Sequence, residues 1–247
     1  MKRIIIVTAA ALSLCGPAFA TIDWESKGMQ MAGEIISNPA AFFYDFQQDL
    51  EGTTPLPPGK RFGVQTGIFP TAVPLTYING SGKYRLLGEG RLAPGVPQVD
   101  LIGGFWDMLA AKMATKDSKT IDSAKFGGYY MGAIVSSSVS PKVRTFWGYK
   151  RSVMKAKLAF KAGEEPDFLG TKVTSFNTGF NDDFFIAGIE TPKGVSKLWS
   201  MQLNYGLKTQ TISSKVSWYG KYFELGLNIY PEGVLVFHPV WNFHLNF

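Results

Sequence analysis

Few side chains in this sequence could carry chemistry, and their spacing narrows what that chemistry is. Only His238 and His244 are present among histidines. They stand six residues apart, so on an extended strand both fall on one face. A metal site needs further ligands close by, and spacing alone supplies none; neither a metal nor a cofactor is expected. Asn181-Asp182-Asp183 reads as a solvated turn. Ser136-Ser137-Ser138 has no Gly-x-Ser-x-Gly elbow around it. Gly82-Lys83 lacks the upstream glycine of a phosphate-binding loop, because Tyr77 occupies that position. Lys155, Lys157 and Lys161 alternate with Met154, Ala156, Leu158 and Phe160, which makes either a basic row lining an interior or an ordinary polar strand face. No catalytic constellation emerges, and enzyme activity is not the leading expectation.

The beginning of the chain speaks to compartment. Met1-Lys2-Arg3 is basic, residues 4–15 are almost purely apolar, Gly16-Pro17 breaks the run, and Ala18-Phe19-Ala20 has a small–x–small cleavage pattern. Residues 1–20 therefore read as a secretory signal peptide. Cleavage after Ala20 removes Cys15, the single cysteine. The exported chain would then have no disulfide, no thiolate metal site and no cysteine nucleophile. Its charge would fall from +6 to 23 minus 19, or +4, with no polybasic block to suggest nucleic acid. Beyond this leader no apolar run is long enough for a transmembrane helix.

Two kinds of element follow. Over residues 21–58, Ile22, Met29, Met31, Ile35 and Ile36, then Phe42, Phe43 and Phe46, recur at roughly helical spacing, interrupted at Asn38-Pro39. Residues 52–59, Gly-Thr-Thr-Pro-Leu-Pro-Pro-Gly, read as a linker. From about Lys60 the period changes to two. Trp199, Met201, Leu203, Tyr205 and Leu207 alternate with small or polar residues, as do Phe223, Leu225, Leu227 and Ile229. Further strands are expected near 84–92, 125–138, 142–160, 170–180, 183–190 and 211–220. Turns are expected at Asn79-Gly80-Ser81-Gly82, Ser140-Pro141, 181–183, 192–194 and 231–233, and a short helix over 105–116.

The polar strand faces are rich in Gly, Ser, Asn and Gln rather than Lys and Glu, and only 18% of all residues are charged. A soluble surface normally carries more charge. Several strands have about the ten residues that cross a bilayer at a tilt. Trp199, Trp218, Tyr219, Tyr230 and Phe247 lie near strand ends, where interfacial aromatic belts form. The pattern predicts an inverted, all-β, antiparallel up-and-down transmembrane barrel over 59–247. About ten strands fit the length, and eight or twelve also fit. Trp199, Met201, Leu203, Tyr205, Leu207, Phe223, Leu225, Leu227 and Ile229 would face lipid. Lys155, Lys157, Gln202, Asn204, Glu224, Asn228 and His244 would face the lumen. Pro239, which cannot donate a ladder bond, interrupts the last strand.

Trp241, Phe243, Leu245 and Phe247 alternate up to the final residue. This resembles the C-terminal assembly signature of Gram-negative outer-membrane β-barrel proteins. The resemblance implies an outer-membrane location, lipid as the surrounding partner, and recognition by the barrel-assembly machinery. The motif covers about the last ten residues, with alternation behind it back to about residue 60. Asn38-Pro39-Ala40-Ala41 resembles the N-terminal turn of long-chain fatty-acid transporters, in which an N-terminal segment plugs the barrel. This chain is much shorter than that family, and the motif is only three or four residues long. The resemblance implies that residues 21–58 occupy or cap the lumen. The leading expectation is a small channel or transporter for a modest or apolar solute. A structural barrel with a filled lumen, a barrel enzyme acting on lipid or peptide, and a soluble periplasmic β-protein with an apolar pocket are the competing readings.

Overall fold

A computed structural model describes residues 39–52, 56–57, 59–69, 77–109, 115, 118–165, 167–168, 171–172, 174–191, 198–233 and 236–247. The expected export signal and residues 21–38 lie outside the described residues, as does the expected turn at 192–194. The chain divides into two compact units, Met1–Pro39 and Ala40–Phe247. Helix α1 (Pro39–Leu50) lies in the second unit except for its first residue. Proline suits a first helical position, since its φ is already set and its missing N–H would have no intrahelical partner there. At the other end Glu51 N–H donates to Gln48 O at 3.3 Å, and Gly52 follows.

Ten strands then form a closed antiparallel barrel. They are β1 (Phe62–Phe69), β2 (Ile78–Leu87), β3 (Gln98–Asp107), β4 (Ile121–Ser140), β5 (Val143–Phe160), β8 (Ser175–Thr191), β9 (Leu198–Gly206), β10 (Ile212–Tyr219), β11 (Phe223–Ile229) and β12 (Phe237–Asn246). A two-residue pair, β6 (Asp167–Phe168) and β7 (Thr171–Lys172), forms a separate sheet between β5 and β8. Each barrel strand pairs with its neighbour in order, and β1 closes onto β12. Phe62 and Phe247 seal that seam by exchanging backbone bonds of 3.3 and 2.7 Å. Those bonds also show that odd-numbered residues of β12 turn their N–H groups toward β1. The β1–β12 register stops at Trp241. Among the described residues no β1 partner faces Pro239, so its missing N–H breaks no described ladder bond.

The side-chain faces are inverted relative to a soluble barrel. Met201, Leu203, Tyr205, Leu207, Phe223, Leu225 and Leu227 are exposed on the outer wall, with Trp199 and Ile229 half-buried. The alternating Ser200, Gln202, Asn204, Glu224 and Asn228 are buried. Not every strand-end aromatic faces outward: Trp218 is 48% exposed, while its neighbour Tyr219 is 2% exposed and Tyr230 is 3%. Strand parity turns those two tyrosines inward. Among the described residues no helix is long and apolar enough to cross a membrane.

Three strands outrun the others. β4, β5 and β8 have 20, 18 and 17 residues, against 7 to 10 in the rest of the barrel. β3 pairs with β4 only as far as Gly127, and β9 with β8 only back to Phe184. Residues 121–126, 152–160 and 175–183 therefore project as a three-stranded blade from the end opposite the C-terminus. Here the faces exchange solvents. Met154 and Ala156 are buried on the inner side, and Lys155 and Lys157 are exposed on the outer side. The expected lumen positions of these two lysines are corrected by this. Strand parity sets them on the outer face with Trp147 and Tyr149, on a stretch of β5 past the apolar rows.

Other expectations also change. Asn79–Gly82 lies within β2, and 105–107 closes β3 rather than starting a helix. β3 (Gln98–Asp107) falls outside the expected strands. The predicted turn at 181–183 is continuous β8. Asp182 points inward, where Thr209 Oγ1 donates to it at 2.6 Å and Lys208 N–H at 2.9 Å. Asp183 points outward and accepts from Tyr149 at 2.5 Å. Tertiary partners hold both carboxylates in strand geometry.

At the terminal end, Glu89 in the β2–β3 connection ties that loop to the β4–β5 hairpin. It accepts Ser138 N–H at 2.6 Å and Ser138 Oγ at 2.8 Å, and Arg144 stands 3.3 Å away. Burial alone raises the Glu89 carboxyl. The Ser138 bonds and the Arg144 charge outweigh it and hold the group below its ordinary value. A lowered carboxyl contributes stability above its unfolded value and loses it as pH falls through the folded one. The Ser138 amide is therefore expected to keep its hydrogen-exchange protection down to the ordinary carboxylate range and lose it below. Glu89→Gln should show weak protection throughout. Equal protection in both proteins at neutral pH would contradict this account.

Candidate functional site: the lumen and its helix

Helix α1 lies inside the barrel. Tyr44, Asp45, Phe46, Gln47, Gln48 and Asp49 are all buried, as are Glu51 and Gly52 beyond it. A helix of this length is marginal alone in water, so the wall around it has to complete its structure. Asp49 accepts from Asn228 at 2.6 Å, from Tyr230 at 2.9 Å and from His238 Nδ1. Tyr44 reaches Thr211 at 2.6 Å and Thr209 at 3.0 Å in the β9–β10 connection. Gln47 donates to Ser152 at 3.2 Å and accepts from the Trp106 indole. Glu51 takes both Lys150 and Ser152, and Lys150 also donates to Gln48 at 3.1 Å. The Lys150 ammonium stands 5.1 Å from the Phe184 ring centre, where an aromatic face adds attraction.

From the helix the chain descends toward the start of β1. Tyr130 hydroxyl donates to Gly52 O at 2.5 Å, and Arg85 holds Leu56 O at 2.7 Å and Pro57 O at 3.1 Å. The apolar contribution is limited. Phe46 packs with Trp106, Met154 and Ala156 beside the root of the blade, its ring meeting Trp106 edge-on at 5.5 Å. Tyr44 meets Phe180 at 4.7 Å and Phe184 at 5.9 Å between ring centres, and ion pairs and hydrogen bonds add the polar contacts.

Two wall glycines make room for the helix. A Cβ on Gly206 would meet Asp182 Oδ2 at 2.7 Å and Tyr44 Oη at 2.9 Å. A Cβ on Gly128 would overlap Gln47 Oε1. Side chains at either position would compete for the space α1 fills.

Below the helix the wall carries its own charge networks. Glu224 receives Lys215 at 2.7 Å, Gln65 at 2.5 Å, and Ser217 and Asn242 at 2.6 Å each. Gln202 donates to Asn204 at 2.6 Å, and Asn204 to Ser213 at 3.2 Å. His244 faces the Gly220 carbonyl at 3.2 Å. Nearer the terminal end, Asp100 lies 3.4 Å from Lys83 and 3.5 Å from Arg85, and Arg144 lies 3.5 Å from Glu190. A cavity remains there, lined by Leu56, Lys83, Gln98, Ser136, Arg144 and Glu190 among others.

No family model, curated protein or solved structure matches this chain. Its function has to be read from its own geometry.

Of the expected lumen residues, Gln202, Asn204, Glu224, Asn228 and His244 are buried on the inner wall, whereas Lys155 and Lys157 are outside. Trp241 and Phe247 are exposed on the outer face, with Phe243 and Leu245 half-buried. The two histidines are not brought to a common ligand, since His238 meets Asp49 and His244 meets Gly220. Among the described residues no group of three His, Cys, Asp or Glu could hold a metal ion. Sequence reasoning missed Lys150, Asp49 and Glu51. Period-two spacing opposite Trp147, Tyr149 and Arg151 was a signal for Lys150, but nothing local marks the two carboxylates as its partner or that of His238.

Lys150 and Glu51 have side chains only 3% and 1% exposed. Removing one member of such a pair strands a buried charge, which costs about 3 kcal/mol or more. Lys150→Met should destabilise the protein by that order in denaturant titration. Lys150→Met with Glu51→Gln should recover much of the loss. Additive losses in this cycle would mean that the pair is not coupled.

Proposed function

We propose that this protein is an integral outer-membrane β-barrel, and that its barrel is a channel for a small solute closed by α1. The observation that carries the reading is the combination of an apolar outer wall with a lumen filled by a helix whose polar groups are bonded to the inner wall. In a bilayer the unsatisfied edge of an open sheet would be prohibitive, and a closed ladder removes it. The apolar rows on β9 to β12 then meet lipid, and the polar rows meet water or one another. A helix held by ion pairs and hydrogen bonds leaves behind groups that water can satisfy, which a helix held by apolar packing would not. The export signal expected over 1–20 and the terminal aromatic row Trp241, Phe243, Leu245 and Phe247 fit delivery to that membrane by the barrel-assembly machinery.

A structural barrel with a permanently filled lumen is the second reading. The near-complete burial of the Lys150–Glu51 pair favours it. Conductance separates the two. In planar bilayers the full mature chain should be nearly silent, while deletion of residues 21–58, or Gly128→Leu in the intact chain, should give discrete conductance steps. Silence in all three proteins would remove the channel and leave the structural barrel. Extraction of the native protein without detergent would remove the membrane reading altogether. For biogenesis, Phe247→Ser should reduce the heat-modifiable, folded fraction in the outer membrane; an unchanged fraction would show that the terminal ring is not part of the signal.

A further inference from the structure

The outer face of the blade carries basic charge that the channel reading leaves unused. Lys125 of β4 stands directly opposite Lys157 of β5, and Lys155 lies two residues along the same face, opposite Gly127 and Gly179. All three are exposed. Like charges placed directly across a ladder repel. Among the described residues none of the three lysines has an ion-pair partner. The acidic groups on that face are engaged elsewhere: Asp183 by Tyr149 at 2.5 Å, Lys208 at 3.7 Å and Arg151 at 4.0 Å, and Asp107, level with Gly127 on β3, by a contact of its own. A repulsive cluster left unneutralised by its own chain is suited to an external anion.

Its height points to which anion. The exposed outer rows of β4, β5 and β8 end in Met131 and Tyr129, in Trp147 and Tyr149, and in Phe185. Tyrosines in that position mark the level of lipid headgroups. Lys155, level with Gly127, stands one outward position past Tyr129 of β4, about 7 Å along the strand, and the Lys125–Lys157 pair stands one outward position further. Long lysine stems can lean back toward a headgroup plane. The phosphate geometry of a lipid layer, many anions held at one level, matches a row of three cations better than a single dissolved anion does.

We propose that Lys125, Lys155 and Lys157 form a binding site for the phosphate headgroups of anionic lipid in the leaflet at the end of the barrel opposite the C-terminus. This rests on the membrane reading, and the test keeps the two apart. The full mature chain and the variant K125Q/K155Q/K157Q are each mixed with phosphatidylcholine vesicles and floated, and each is then titrated with phosphatidic acid in neutral detergent micelles while bound lipid is counted by native mass spectrometry. Both proteins should float. The variant should bind its tightest phosphatidic acid about fivefold more weakly per lysine removed, on the order of a hundredfold in all, and K125R/K155R/K157R should restore binding. Failure to float overturns the membrane reading and this site with it. Flotation of both proteins with equal phosphatidic acid affinity overturns the site alone. Competition by inorganic phosphate at comparable concentration overturns the assignment to lipid.

Discussion

Closure of β1 onto β12 is the constraint on which the rest of this molecule depends. A sheet with a free edge presents a row of unpaired amide and carbonyl groups, and its outer wall could not then be as apolar as it is here. Once the seam at Phe62 and Phe247 is made, the barrel proper has a ladder partner on both sides of every strand. Its outside can then be chosen by side chain alone. Leu, Phe, Trp and Tyr fill the outer rows, and Ser, Asn, Gln and paired charges fill the inner ones. Among the described residues no seam partner faces Pro239, so the closure tolerates it.

A ten-stranded barrel leaves an interior wider than wall side chains alone can fill. Helix α1 takes the far half of that space, and the Glu224 and Asp100 networks take much of the rest. The helix brings three carboxylates, Asp45, Asp49 and Glu51, into a region where Lys150, His238 and a set of hydroxyls face inward. Buried carboxylates need such partners. Wall partners for Asp49 and Glu51 come from β5, β11, the β11–β12 connection and β12. Tyr130 of β4 and the β9–β10 connection bond Gly52 and Tyr44, so the plug is bonded around much of the circumference.

The blade shows how locally the rule of faces operates. Along β5 one strand passes from Trp147 and Tyr149 outside to Lys155 and Lys157 outside, with no break in its alternation. What changes is the surroundings of the strand. In the barrel wall its inner face looks onto a polar lumen. Past the rim its inner face packs Met154 and Ala156 against Phe46 and Trp106, and its outer face has no apolar band left to join. The same two-residue period serves two opposite assignments of inside and outside.

Period-two alternation, low charge and the number of residues per strand are enough to specify an inverted antiparallel barrel of about ten strands and the outward rows on β9 and β11. Those features are local: each residue's side is set by parity, and parity is written in the chain. Tertiary structure decided what parity cannot express. It kept Asn79–Gly82 and Asn181–Asp183 in strands because distant partners satisfied their polar groups. It set the outward Lys155 and Lys157 beyond the apolar rows, because β5 outruns the pairing of β3 and β9. It also joined Asp49 to His238 and Glu51 to Lys150 across 189 and 99 residues. A helix's place inside a barrel depends on the space that ten strands enclose together, and no single segment of sequence contains that volume.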